Sequence, residues 1–237
     1  FRSTDWHEQD EIVVCQQDHE ANHGVWRRQA EKLGVTVREW QVDPETGLLN
    51  QEALYDLLNE HTRWVFFTHC SNLIGTINPA ADIVAGIRSR SPARICVDGV
   101  AYAPHHIPDL NQLDVDMYLF SLYKVFGPHQ GLLYVKQALQ EELAPQCHYF
   151  LTEEPTKCFN PAGPQHAEVA AAAGVLDYFN LIADHHQIDA SLTLCERLQH
   201  LHTLLADHER SLASPLLDYL NQSSKVRLLG KVHCQDH

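Results

Sequence analysis

The stretch MYLFSLYKVFGPHQGLLYVK, Met117 to Lys136, sets two apolar runs on either side of a turn holding Gly127, Pro128 and Gly131. Short runs rich in aromatic and branched residues and bounded by Gly and Pro read as strands. Lys124 interrupts the pattern, a single cation between an apolar run and the turn.

Working outward, EIVVC (11–15), TVREWQV (36–42), RWVFFTHC (63–70) and RICVDG (94–99) read as further strands, as do MYLFSLY (117–123) and GLLYVK (131–136). Several are too continuously apolar to be half-exposed. Between them NHGVWRRQAEKLG (22–34), NQEALYDLLNEH (50–61) and PAADIVAGIRSR (79–90) have helical spacing, with Gly34 placed as a helix stop. Alternating strand and helix predicts an α/β fold, a mostly parallel sheet covered by helices on both faces in three layers.

From Pro164 the pattern changes to long helices, over 165–185 and 188–220, and a last strand-like run, VRLLGK, follows at 226–231. The expectation is a large domain over 1–180, then linking helices and the start of a smaller domain over 181–237. The opening DWHEQDEIVV begins in mid-pattern, so a piece of a longer chain is expected.

A formal net charge of −14, with no basic stripe, lacks the phosphate-binding electrostatics of a nucleic-acid binder. The seven cysteines show no CxxC spacing and an odd total, which argues against a disulfide framework and fits a reducing cytoplasm. No apolar run approaches the roughly 18 to 20 residues that span a bilayer, and FRSTDWHEQD has no apolar signal core, so a soluble protein is expected. Seventeen histidines invite a metal reading, but only His19 with His23, His61 with His69, and the pairs His105–His106 and His185–His186 cluster at all, and HExxH is absent. No metal site is assigned; a histidine-rich metal-binding protein is the third-ranked reading.

Functional groups in a parallel α/β sheet gather where the strands end at their carboxyl side. Those ends carry Asp18, His19 and Asn22; His69, Ser71 and Asn72; Asp98; and Ser121, Tyr123 and Lys124. Asp98 closes an apolar strand, where a buried charge needs a cationic partner; taken alone it could equally cap a loop. Lys124 stands at the edge of the sheet core. Desolvation there would lower its pKa and make it a nucleophile for a Schiff base, whereas a lysine snorkelling from a strand end is the plain alternative. Together, a carboxylate for a pyridinium nitrogen, a lysine for an aldehyde, an imidazole face for stacking and hydroxyls for a phosphate are what pyridoxal 5'-phosphate requires. A dinucleotide fits less well, since no GxGxxG follows a strand and no GxxxxGK[ST] loop occurs.

QDEIVV, DHEAN, THCSNLIGTINP, VDGVAYAPHHIPD, LDVDMYLFSLYKVFGPHQGLLYV and NPAGPQHAEVAA resemble, in this order, the class V aminotransferases. These are transferases of the fold-type I group of pyridoxal-phosphate enzymes, which includes cysteine desulfurases and selenocysteine lyases. The likeness runs to about Phe179, and VDGVAYAPH with SLYKVFGPHQG is most similar to the cysteine desulfurase-like branch. By resemblance Lys124 holds the cofactor as a Schiff base, Asp98 pairs with the pyridine nitrogen and His19 lies over the ring. Asn72 would meet the ring hydroxyl, and Ser121 and Tyr123 the phosphate. Lys124 and His19 would be the catalytic pair, acting on an amino acid by transamination, desulfuration, racemisation or elimination, in a homodimer.

Three positions depart from that pattern: Tyr123 stands where desulfurases usually have histidine, Ala101 where they have glutamine, and Gly163 where a phosphate-binding threonine is expected. The family's phosphate-binding turn and carboxylate-binding arginine fall outside this sequence, and no cysteine here matches the desulfurase nucleophile; Cys70 reads as a small core residue. The alternative reading is a catalytically incomplete fragment that folds and binds cofactor without turnover.

Overall fold

A computed structural model describes residues 2–154, 157–160 and 163–233. Six strands form one sheet in the order β2-β1-β3-β4-β5-β6. They are β1 (Glu11–Cys15), β2 (Thr36–Trp40), β3 (Thr62–Thr68), β4 (Arg94–Asp98), β5 (Met117–Ser121) and β6 (Gly131–Val135). All neighbouring pairs are parallel except β5 with β6.

The central strands β1, β3 and β4 alternate between two buried faces, which explains their continuous hydrophobicity, whereas the edge strands β2 and β6 stay largely exposed. Val13, Cys15, Val65, Phe67, Ile95 and Val97 pack on one side with Leu54 of α2 (Gln51–Tyr55), Ile83 and Ile87 of α3 (Ala80–Arg88) and Leu113 of α4 (Leu110–Leu113). On the other side Ile12, Val14, Trp64, Phe66 and Cys96 meet Ala30 of α1 (Glu20–Leu33) and Leu139 of α5 (Gln137–Glu142). Each buried Val, Leu, Ile or Phe side chain among them contributes about 1.5–3 kcal/mol by leaving water. The three-layer α/β fold is therefore present.

A third cluster joins Ala103 and Val125 to α7 (Ala173–His185) and α8 (Leu194–Asn221) through Val175, Phe179, Ala183 and Leu201. The alanine run breaks into α6 (His166–Ala171) and α7.

Several boundaries differ from the sequence expectation. The helix expected over 50–61 stops at Tyr55, because Asn59 is drawn to β1, its amide donating to Glu11 Oε2 at 2.7 Å. The helix expected from residue 188 starts at Leu194 behind a capping box of Thr193 and Glu196. The 117–123 run leaves the sheet at Ser121 and winds into a 3-10 turn, Leu122–Val125. VRLLGK forms no strand; Gly230 N–H instead donates to Thr46 O at 2.6 Å, joining this segment to a loop.

Cys234, Pro161 and Ala162 lie outside the described residues. The other six cysteines are free thiols. Among the described residues no helix is long and apolar enough to cross a membrane, and no group of three or more metal-ligating side chains is assembled.

Candidate active site at the carboxyl ends of the strands

The turn after β1 delivers Asp18 and His19. His19 caps α1: its Nδ1 accepts the Ala21 N–H at 3.1 Å, so that nitrogen carries no proton. Asp18 accepts the His19 N–H at 2.9 Å and the Asn22 amide at 2.7 Å, and Asn22 Oδ1 accepts Trp26 Nε1–H at 2.9 Å. The indole can only donate, so it fixes the orientation of the Asn22 amide. Burial, together with the charge of Asp98, pushes the Asp18 carboxyl well above the usual carboxylate range, against the hydrogen bonds from Asn22 and His19. Sequence reading placed Asp18 and Asn22 at this end of the sheet without seeing the chain they form with Trp26. Part of its signal was there: Asn22 and Trp26 stand at i, i+4 on α1, with Asp18 just before the cap.

Asp98 ends β4 and is buried. Its Oδ1 accepts the Val100 N–H at 2.8 Å, the one hydrogen bond to this carboxyl among the described residues. Burial raises its pKa; the Val100 bond and the nearby His19 and Lys124 oppose that rise. Those two predicted residues therefore lie within electrostatic reach of the third.

After β3 comes His69, which sequence reading named only as a strand-end residue. It is buried, its ring stacks on Tyr102 at 3.5 Å, and its Nδ1 lies 2.9 Å from the Tyr118 hydroxyl. Tyr102 in turn stacks on His106 at 4.9 Å. Burial, with help from His106, lowers the His69 pKa to about 3, so the imidazole is neutral at physiological pH.

The 3-10 turn after β5 buries Val125 and turns Lys124 outward. Lys124 is exposed, which corrects the expectation of a desolvated lysine: the turn sends the apolar neighbour inward instead. Phe126 follows with φ 65°, a left-handed conformation costly for a bulky side chain, held by packing on Tyr178 at 4.8 Å. A Cβ on Gly127 would come within 2.7 Å of Val175, so any larger residue there would force α7 or the turn to shift. Tyr123 is half-exposed and stacks on His129 at 4.6 Å, and Ser121 is partly buried.

Lys124 and Asn72 share a cavity of about 680 Å³ with Ser71 and Tyr102. Asp98, His19, Ser121 and Tyr123 do not line it. The structure thus draws His19, Asp98 and Lys124 into one electrostatic neighbourhood and joins Lys124 to Asn72, while Tyr123 turns to His129.

The class-V aminotransferase family model matches residues 1–237. The aminotransferase-like protein FGM3 of Gibberella zeae is 34% identical over 223 residues, 94% of this chain and 52% of that protein. A cysteine desulfurase of Salmonella choleraesuis is 39% identical over 137 residues, 57% of this chain and 33% of its own length. The crystal structure of the cysteine desulfurase CsdA from Escherichia coli is similar with a TM-score of 0.73 and 25% identity, covering 96% of this chain and 54% of that one. The chain spans about half the length of FGM3 and of CsdA. With the whole of its length matched, it belongs to the class-V aminotransferase family.

Proposed function

We propose that the chain is part of a pyridoxal-phosphate-dependent enzyme acting on an amino acid, of the cysteine desulfurase and class V aminotransferase kind. Residues 1–180 act as the cofactor-binding large domain, and residues 181–237 as linking helices and the start of a small domain. The observation that carries this reading is Asp98, a buried carboxyl with one hydrogen bond, placed within electrostatic reach of Lys124 and His19.

That donor set fits the cofactor. A protonated ring nitrogen would supply the cation that the buried Asp98 carboxylate otherwise lacks. The exposed Lys124 amine is free to bond an aldehyde, and once released it can move a proton at the substrate Cα. His19, held at the helix start by the Ala21 N–H, would cover the ring; Asn72 would meet the ring hydroxyl, and Ser121 and Tyr123 the phosphate. When bound, pyridoxal phosphate supplies an electron sink for the electron pair left at the substrate carbon.

A similar structure supports the cofactor: a C-DES variant with glycine covalently linked to its pyridoxal-phosphate cofactor shares 25% identity and a TM-score of 0.68 and is covered over 57% of its length. A homodimer is part of the proposal, favoured by the exposed Phe126, Tyr149 and Phe150 side chains. Free thiols at the six described cysteines favour a reducing compartment such as the cytoplasm.

Reconstitution with pyridoxal phosphate, followed by borohydride reduction and peptide mass analysis, tests the reading. The expected result is a reduced adduct on Lys124 and visible absorption that Lys124→Ala abolishes; an adduct elsewhere, or absorption that survives Lys124→Ala, rejects it. The exposure of Lys124 favours a second reading, cofactor binding without turnover. The same adduct with no product from any amino acid would select it.

A further inference from the structure

The cavity at Lys124 has a lining of two kinds. Its polar lining includes Lys124 and Asn72, neither hydrogen-bonded to a described residue. Its aliphatic lining is built from Ile74, Ile77, Leu216, Leu217, Leu228 and Leu229. Leu216 is 58% and Leu229 42% exposed, so part of that wall is wet. At about 680 Å³ the space lies within the range of roughly 300–1,000 Å³ typical of small-molecule pockets.

The walls are fastened. His105 Nδ1 lies 2.9 Å from Glu209, tying α8 to the loop that carries Tyr102. Gly230 N–H donates to Thr46 O, and the Asn221 amide donates to Val232 O at 2.9 Å. A Cβ on Gly230 would stand 2.9 Å from Thr76 Oγ1, so the segment carrying Leu228 and Leu229 lies close against the 74–76 loop. Two rim charges are already paired, Glu209 with His105 and Arg210 with Asp207 at 2.6 Å. They call for no charged side chain on a ligand.

We propose that this cavity selects an amino acid with a bulky apolar side chain, aliphatic or aromatic, over small ones, its amino group toward Lys124 and its side chain against the leucine wall. The inference rests on the pyridoxal-phosphate reading, because Lys124 marks the reacting end. A small side chain would leave the wall wet; each added carbon buried there strengthens binding by removing apolar surface from water.

The test titrates the reconstituted protein with alanine, serine, leucine and phenylalanine and reads dissociation constants from the change in cofactor absorption, not turnover. Leucine and phenylalanine are expected to bind about tenfold or more tighter than alanine and serine, the discrimination that a few buried carbons give. Ala213→Trp, which fills the cavity from α8, is expected to erase the preference while the Lys124 adduct persists. If that variant does not fold, Leu229→Glu on the exposed part of the wall serves the same purpose. Equal binding of alanine and leucine, or a preference unchanged by the folded variant, overturns the inference. Absence of a Lys124 adduct in the unaltered protein is a separate result that rejects the cofactor reading and this inference with it.

Discussion

Asp98 shows what a single residue costs and allows. Its folded pKa is raised, so its contribution to stability is present below the usual carboxyl pKa and is lost as pH rises through the folded value. In the cofactor-free protein the ionised group is therefore a liability at neutral pH. Asp98→Asn is expected to raise the Tm of the cofactor-free protein at pH 7 and to weaken cofactor binding by about tenfold or more, the effect of losing one charged hydrogen bond. His69 runs the other way. A base whose pKa falls to about 3 contributes stability that is fully present above its unfolded value near 6.5 and is lost as pH falls toward 3. Across that window the slope is about 1.4 kcal/mol per pH unit for one proton. Acid unfolding of His69→Phe, which keeps a ring against Tyr102, is expected to show a slope shallower by that one proton. At this scale the placement of Asp98 and Lys124 beyond apolar strands was legible, because each charge stands out against the apolar run before it. Exposure of Lys124 was not, since it depends on the 3-10 turn, which hydrophobic pattern does not encode.

Elements were legible in kind and less so in extent. Apolar spacing continues into residues that have better partners elsewhere, which is why the pattern over 50–61 outruns α2 once Asn59 bonds Glu11. The α8 boundary is set by the reciprocal bonds of Thr193 and Glu196. Thr193→Ala is expected to cost about 1 kcal/mol, read as a lower denaturant midpoint with unchanged m-value. The direction of β6 is also missing from periodicity, yet chain length contained it: the connection from Ser121 to Gly131 is shorter than the dozen or more residues a parallel crossover needs.

For the whole molecule, alternation of strands and helices fixed the layers, because both faces of the sheet had to be covered. What it left open is the surface. Tyr149 and Phe150 are almost fully exposed and Phe126 is 64% exposed, more aromatic surface than a solitary α/β domain usually leaves in water. Light scattering is expected to give twice the 26.9 kDa of the chain, and a monomer at all concentrations would reject the homodimer.

The β5–β6 hairpin has one more consequence, for the order in which the chain folds. Every other pair in the sheet joins strands separated by a longer connection, whereas Ser121 pairs with Gly131 across the short 122–130 connection. Closing a short loop loses the least chain entropy, so this pairing is the most local in the sheet and the quickest to close. Lys124 thus rides on the segment that acquires its shape first, and pulsed hydrogen exchange during refolding is expected to protect the amides of 117–121 and 131–135 ahead of those of β1 and β3.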